Sequence, residues 1–536
     1  MTNKNRIFSL FLIYMVLITI LTFFYDYPET LLKRPQSFHN WRQCDGASLA
    51  LNYYQEGMHF FRPQTHMLYS DDLTTGYTAP SEIPILYYFV AILYKIFGYH
   101  EFIFRALNLL IFYIGLFYLF RLADLILGDI LYATVVTVLV FSAPVLVYYA
   151  NNFMPNTVAL SFSFIGWYYF YKYYLNKGIG DFAKMVLFFG IASCMKITEL
   201  TGPVIAGGLL VLDRIGIIKA DLQLRKNFWL KAGMLSSIFL FVFGWVIYAK
   251  HYNALHSSTQ FSTGAYPLWE LSKDTIEFIF HKMDVIWFRE YYYPATFWFM
   301  IGCLVSTVVL WKRSNIILRW VSLAMAIAFF AFSILWFDAL GDHDYFYIGF
   351  YVLPAMLFIN IFHIIKNSGL NKINLTIIRL VFLSVMILNI YYARGRHNER
   401  YTVGWKNDYE QKKDLYAISP WLKEAGFSKE DTVIFCYSRY IRPLYLMNMK
   451  GWVIYSHDSA TNEIMERDSR LMSLYSTNGA RYLFTDDIKS AASYEPLQPY
   501  LKDLYANYNS IFIFRLPPQQ ENFNPSDSLF IQSLKM

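Results

Sequence analysis

His39, Arg42 and Asp45 fall within one short run, His39-Asn40-Trp41-Arg42-Gln43-Cys44-Asp45. A carboxylate can take the proton of an attacking hydroxyl, and an arginine or histidine can hold an anion beside it. The run follows closely on the first apolar stretch, residues 7–24. Ionisable groups so near a bilayer are costly unless a site uses them, so their presence points to function. A second carboxylate, Glu82, sits between Pro80 and Pro84, placed for substrate binding, metal binding or acid–base work. Lys196 stands in an apolar setting with Glu199 three residues on, a position suited to a phosphate. Asp342-His343-Asp344-Tyr345 gathers two carboxylates, an imidazole and a phenol in one short connection.

Each of these has a plainer reading. Asp45 precedes an amphipathic stretch, Gly46 to Gly57, with Leu49 and Tyr53 on one face, and would serve there as an N-cap. Beside His39 and Arg42, the catalytic reading of Asp45 prevails. Glu82 would complement the dipole of the helix that follows it, Lys196 would snorkel to the interface, and the 342–345 cluster would be a polar turn. His251 and His256, either of which could join Glu82 at a divalent metal, form a bare His-x4-His pair. That spacing is weak, and exposed or hydrogen-bonded side chains fit it better. A metal ion is therefore the one cofactor left open.

These residues must be positioned by membrane-spanning helices. The chain has 536 residues, of which 56% are hydrophobic and 20% aromatic. Its mean hydropathy is +0.31. That is too apolar for an ordinary soluble protein, and rings in such number favour membrane–water interfaces. The formal net charge of +7 resides mainly in short loops between apolar runs, which speaks for orientation in a membrane and against nucleic acid. The four cysteines are widely spaced and suggest neither a disulfide framework nor a zinc knuckle.

Eleven segments read as spans: 7–24, 102–120, 130–149, 157–175, 184–198, 199–213, 228–249, 295–311, 316–337, 346–364 and 373–392. The stretch 83–97 is short and carries tyrosines and a lysine, and it reads as a helix lying on the membrane surface. With that choice the basic loops fall on one side. The positive-inside rule places them in the cytoplasm and places loop 25–101, the 196–199 turn, loop 338–345 and everything after 393 outside. In a bacterial setting this means an inner-membrane protein with its site on the periplasmic face. The expected division is a membrane domain, 1–392, and an outer domain, 393–536. In the latter, β-branched and aromatic runs at 431–437, 451–455, 481–485 and 510–515 alternate with helix-like stretches such as Ser419–Gly426, the pattern of a small α/β fold.

The order of features is an anchor, an outer loop with Asp45, Glu82-Ile-Pro84 before a helix ending Phe97-Gly98, and Arg105-Ala-Leu-Asn108 in the next span. Then come Tyr148-Tyr149-Ala150 with Pro155-Asn156, Met195-Lys196-Ile-Thr198, and His343-Asp344-Tyr345 with Pro354. This order resembles the GT-C glycosyltransferases of the protein O-mannosyltransferase and lipid A aminoarabinose transferase type, over roughly residues 1–392. The resemblance implies a donor sugar on a polyprenyl phosphate, with Asp45 as the catalytic carboxylate and Lys196 at the lipid phosphate. It also matches Tyr345 to a late outer-loop tyrosine and Glu82 to the carboxylate before the proline. Arg42, Arg105 and His343 would assist at the phosphate, and His39, Glu82 and Asp344 at the sugar or acceptor. Two positions depart from the pattern. Asn156 stands where the family often has an acid, and Ile83 stands where the aminoarabinose branch has a lysine.

The expected activity is thus inverting transfer of a sugar from a polyprenyl-phosphate donor to a glycan, lipid or protein acceptor, with membrane lipid as the surrounding partner. A polymerase or ligase of lipid-linked glycans shares the face and the lipid. A transporter of such glycans would need a polar path and related halves, and neither is visible in the sequence.

Overall fold

The computed structural model describes residues 3–258, 260–261, 264, 266–403, 408–437, 442–455 and 461–517. They form two compact units. The first comprises Met1–Leu32, Phe104–Trp245 and Gly264–Glu399, and the second Lys33–Ile103, Val246–Thr263 and Arg400–Met536.

Every expected span coincides with helix. Among the described residues six helices are long and apolar enough to cross a membrane: Arg6–Phe24, Glu101–Leu127, Phe228–Leu255, Ile316–Leu335, Asp344–Lys366 and Ile373–Thr402. Two bent pairs raise the number to eight: Ile130–Phe141 with Pro144–Ala150, bent by 77°, and Lys273–Tyr291 with Pro294–Val309, bent by 89°. Both bends fall where a proline forces the preceding residue out of the helical region, and Ala143 and Tyr293 are accordingly extended, with ψ of 124° and 137°. The other three expected spans, at Asn156–Asn176, Ile179–Met195 and Thr201–Arg214, are helices outside that set. These apolar helices make the chain a multi-pass membrane protein.

Within the first unit, Gly115 lets two helices touch. A Cβ there would lie 2.5 Å from Ser161 Cα, so Glu101–Leu127 packs directly on Asn156–Asn176. A cavity of about 560 Å³ opens among the later helices of this unit, with walls that include Phe297, Ile301, Phe329, Phe330, Tyr347 and Leu357. Its lining is almost wholly apolar.

The second unit contains a five-stranded sheet, β1 (Thr432–Tyr437), β2 (Gly451–Tyr455), β3 (Ala480–Thr485), β4 (Leu504–Tyr508) and β5 (Ile511–Arg515), in the order β2-β1-β3-β5-β4. The first three strands pair in parallel, and β5 and β4 close the sheet antiparallel. β1 is central and covered on both faces, so Val433, Ile434, Phe435 and Cys436 are all buried and its sequence does not alternate. Four strands follow the expected runs. β4, Leu-Tyr-Ala-Asn-Tyr, has no β-branched residue and is recruited by its hairpin with β5. The hairpin turns through Asn509, at φ 49°, and Ser510. Asp414 holds that turn by accepting from Asn509 Nδ2, Ser510 N and Ser510 Oγ, bonds that draw its carboxyl below the usual range. The helix expected at 419–426 spans Lys413–Glu424, with Pro420 inside it.

The outer loop builds onto this sheet. Met67 bridges Gly451 at the β2 edge, and Trp452 Nε1 donates to the carbonyls of Leu68 and Leu73, each at 3.0 Å. Leu68 and Leu73 share one core with Ile434, Trp452, Met472 and Leu483. By its contacts, then, residues 33–103 group with the C-terminal α/β segment. The helix Ile85–Phe97 realises the expected 83–97 stretch. Leu86, Tyr87, Val90, Ala91 and Tyr94 are buried, while Ile85, Phe89, Ile96 and Phe97 remain exposed. An apolar exposed stripe suits a helix that lies along a membrane.

Candidate functional site

In the second unit the helix that carries Asp45 begins at Asn40, not at Gly46. His39 is its N-cap position, at φ 52°. The segment before it is pinned by Gln43, whose Nε2 donates to the carbonyls of Gln36 and Phe38, each at 2.8 Å. Asp45 therefore lies in the second turn of Asn40–Gln55, and the N-cap reading of this residue falls away. It is buried, with 3% of its surface exposed.

Arg42, Asp45, Ser48 and Asn52 occupy neighbouring positions along that helix at spacings of three and four. Arg42 Nη2 forms a buried ion pair with Glu82 Oε1. Tyr87 Oη donates to the same oxygen at 2.8 Å, and Ser81 Oγ donates to Glu82 Oε2 at 3.1 Å. Asp45 Oδ1 accepts from Gln260 Nε2 at 3.1 Å and lies 3.3 Å from Arg442 Nε. Asp45 and Ser48 face a small recess whose other walls include Thr65, Met67, Pro443 and Val453.

His66 stands behind Ser48. Its Nδ1 lies 2.7 Å from Ser48 Oγ and 3.2 Å from Asn52 Nδ2, and its Nε2 is 3.2 Å from Asn448 Oδ1. An amide carbonyl at Nε2 calls for N–H there, so Nδ1 accepts. Burial pushes the imidazole down to about 4, which keeps the ring neutral. A neutral ring buttresses the Ser48 hydroxyl at the recess wall.

A second polar group belongs to the first unit. Tyr149 Oη donates to Asp344 Oδ1 at 2.7 Å, and Asp344 is fully buried. Asn156 Nδ2 donates to the Tyr345 carbonyl at 3.2 Å, and Tyr291 Oη to the Asp344 carbonyl at 3.2 Å. Tyr291 also lines the apolar cavity, so this polar cluster borders it. Lys196 Nζ lies 5.5 Å from the centre of the Phe346 ring, within cation–π range. His343 stacks on Phe346 with centroids 4.9 Å apart, and its Nδ1 lies 3.0 Å from the Ala339 carbonyl. Tyr345 packs edge-on to Tyr149 and to His343.

The structure thus brings His343, Asp344, Tyr345 and Lys196 together in one unit, and His39, Arg42, Asp45 and Glu82 in the other. Arg42, Glu82 and Arg105 each have partners within the fold. Arg42 is committed to Glu82, and Glu82 to Arg42, so neither stands out as a ready ligand for a separate anion or cation. Arg105 is fully buried, donates from Nη1 to the Asn151 carbonyl and stacks 4.6 Å over Phe153. Asn108 Nδ2 donates to the Asn152 and Met154 carbonyls, so this helix face anchors loop 151–154. His256 Nδ1 contacts Asp71 Oδ1 at 2.9 Å, and His251 is exposed. Among the described residues no three His, Cys, Asp or Glu side chains gather as a metal site. Gln260 and Arg442 escaped sequence reading altogether. No motif marks them, and only the fold carries them to Asp45.

A family model described as dolichyl-phosphate-mannose-protein mannosyltransferase matches residues 79–248. No curated protein is similar enough in sequence to count as a match. Solved structures are similar over nearly the whole chain. ArnT from Cupriavidus metallidurans in the apo state has a TM-score of 0.55 at 10% identity, covering 95% of this chain and 98% of that one. The chain has the GT-C fold. The same ArnT bound to undecaprenyl phosphate has a TM-score of 0.56 at 12% identity, covering 94% of this chain and 99% of that one. An Archaeoglobus fulgidus oligosaccharyltransferase in complex with Zn and sulfate has a TM-score of 0.54 at 13% identity, covering 90% and 70%. At these identities the likeness is one of fold, and the expected fold class, a polytopic helical membrane protein with a C-terminal α/β domain, is the one observed.

Proposed function

We propose that this chain is an inverting membrane glycosyltransferase that moves a sugar from a polyprenyl-phosphate donor to an acceptor at the extracytoplasmic face. The observation that carries the reading is Asp45, a buried carboxylate inside a helix, one oxygen held by Gln260 and paired with Arg442, facing a recess. The fold supports the reading, since ArnT with this architecture binds undecaprenyl phosphate, and the Archaeoglobus fulgidus enzyme has been solved with a dolichol-phosphate.

In the proposed reaction the acceptor O–H bond breaks and its proton passes to Asp45. The acceptor oxygen forms a bond to the anomeric carbon, whose bond to the donor phosphate breaks with its electron pair going to the phosphate. Base catalysis of this kind contributes roughly 10²–10⁴-fold. Lys196, with His343 and Tyr345 beside it, is assigned to the polyprenyl phosphate, where a fixed cation stabilises the leaving charge. The apolar cavity bordered by Tyr291 suits the prenyl tail. Arg42, Arg105 and Glu82 act through packing and ion pairing, which places them in support of the site. The basic short loops put the N-terminus in the cytoplasm and the α/β domain, 393–536, outside, where it helps to receive the acceptor.

The test uses the purified full chain and a panel of undecaprenyl-phosphate hexoses, and follows hexose released or transferred. Asp45→Asn is expected to lower the rate by about 10²–10⁴-fold with an unchanged melting profile. A fully active Asp45→Asn enzyme removes Asp45 from the chemistry.

A further inference from the structure

The neighbours of Asp45 are arranged around one of its two oxygens. Gln260 Nε2 and Arg442 Nε both address Oδ1, at 3.1 and 3.3 Å, while Oδ2 keeps no hydrogen bond among the described residues. The orientation of the Gln260 amide is itself fixed. An ionised Asp45 can only accept, so Nε2 is the end that faces it, and Oε1 is left to accept from Thr65 Oγ1 at 2.8 Å. Thr65 and Asp45 both line the recess, so the chain Thr65–Gln260–Asp45 runs along its wall. Arg442 enters from the segment between β1 and β2 and brings a permanent positive charge to the same oxygen.

A carboxylate serves as a base best when one oxygen is aimed at the proton it will take. A loose Asp side chain has rotamers that point either oxygen, or neither, at an incoming hydroxyl. A hydrogen bond from Gln260 and an ion pair with Arg442, both on one oxygen, remove that freedom. We propose that Gln260 and Arg442 are positioning residues that lock Asp45 Oδ1 and present Oδ2 as the atom that takes the acceptor's proton. The inference rests on the reading of Asp45 as the base. It adds two residues, from the connection before Gly264 and from the α/β domain, that no motif assigns to the reaction.

The experiment compares Gln260→Ala, Gln260→Glu, Arg442→Gln, Arg442→Lys and Asp45→Asn in the purified full-length protein. The probe is whichever undecaprenyl-phosphate hexose of the panel the parent enzyme consumes. Gln260→Ala and Arg442→Gln are expected to lower kcat roughly tenfold to a hundredfold while donor KM stays within about twofold. Gln260→Glu keeps the side chain's shape and loses the donor, so it is expected to fall at least as far as Gln260→Ala. Arg442→Lys, which restores the charge, is expected to recover part of the lost kcat. Wild-type kcat in Gln260→Glu and Arg442→Gln, with Asp45→Asn inactive, overturns the positioning role and leaves the base intact. Arg442→Lys no better than Arg442→Gln removes the charge from the argument. An active Asp45→Asn enzyme defeats the underlying reading instead.

Discussion

The hydroxyl of Tyr149 donates to Asp344 Oδ1 at 2.7 Å, joining two residues 195 positions apart inside the membrane-helix unit. Tyr149 comes from Pro144–Ala150, the short helix after the first proline bend, and Asp344 opens the helical segment Asp344–Tyr351. The 77° bend at Pro144 is thus tied to the Asp342-His343-Asp344-Tyr345 cluster. Tyr149→Phe strips one donor from a buried carboxylate, and a hydrogen bond to a charged group contributes about 1.5–3 kcal/mol. Thermal unfolding in detergent is expected to show that loss, and an unchanged melting temperature would mean the bond adds nothing to the fold.

Lys196 is the side chain assigned to the donor phosphate. Lys196→Ala is expected to raise donor KM more than acceptor KM, with Lys196→Arg retaining much of the affinity because the charge survives. Measured donor titrations at fixed acceptor, and the reverse, separate the two. An equal loss on both would indicate damage to the Phe346 packing instead.

His66 gives a pH dependence with a defined sign. Its folded imidazole is held at about 4, against 6.5 for an unperturbed histidine. The unfolded chain therefore takes up this proton first on acidification. The stability contributed by neutral His66 is present above about pH 6.5 and is lost progressively towards about pH 4, to the extent of a few kcal/mol at most. In His66→Leu the ring and its network are gone at every pH. The melting-temperature gap between wild type and His66→Leu is expected to narrow between about pH 7 and pH 5. A gap that widens would show that the buried ring is not neutral.

Gly451 starts β2 where three chain segments meet. A Cβ at this position would stand 1.8 Å from the Val433 carbonyl oxygen, and Gly451 also exchanges backbone hydrogen bonds with His66 and Leu68. The obstacle is backbone and cannot swing aside, so Gly451→Ala is expected to cost at least about 1–3 kcal/mol. Limited proteolysis of the α/β domain reads this directly. Parent-like resistance in the variant would show that β1 and β2 can separate without harm.

Much of the architecture is written locally in the chain. The apolar runs at 7–24, 316–337 and 373–392 could only be helices in a bilayer, and they are helices. The runs at 432–437 and 451–455 are β-branched and aromatic, and they pair as parallel strands. Asp45 stood out because a carboxylate beside an arginine and a histidine is rare so near a span. The start of its helix did not stand out, because Asn40-Trp-Arg-Gln-Cys carries no apolar period and is held by tertiary contacts such as Gln43 with Gln36 and Phe38. β4 was hidden for the same reason, its extended form being imposed by β5 and not by its own residues.

The sequence alone determined the class of protein, its helices and strands, and the carboxylate on which the chemistry is proposed to turn, because hydrophobic period and residue type act over a few positions. The tertiary structure decided the partners: Arg42 with Glu82 across 40 positions, Gln260 with Asp45 across 215, Tyr149 with Asp344 across 195. Pairing of charges and dipoles depends on distance in space, and buried polar groups must find a partner wherever the packing of apolar surfaces brings one. Nothing in a local stretch records which distant residue that will be.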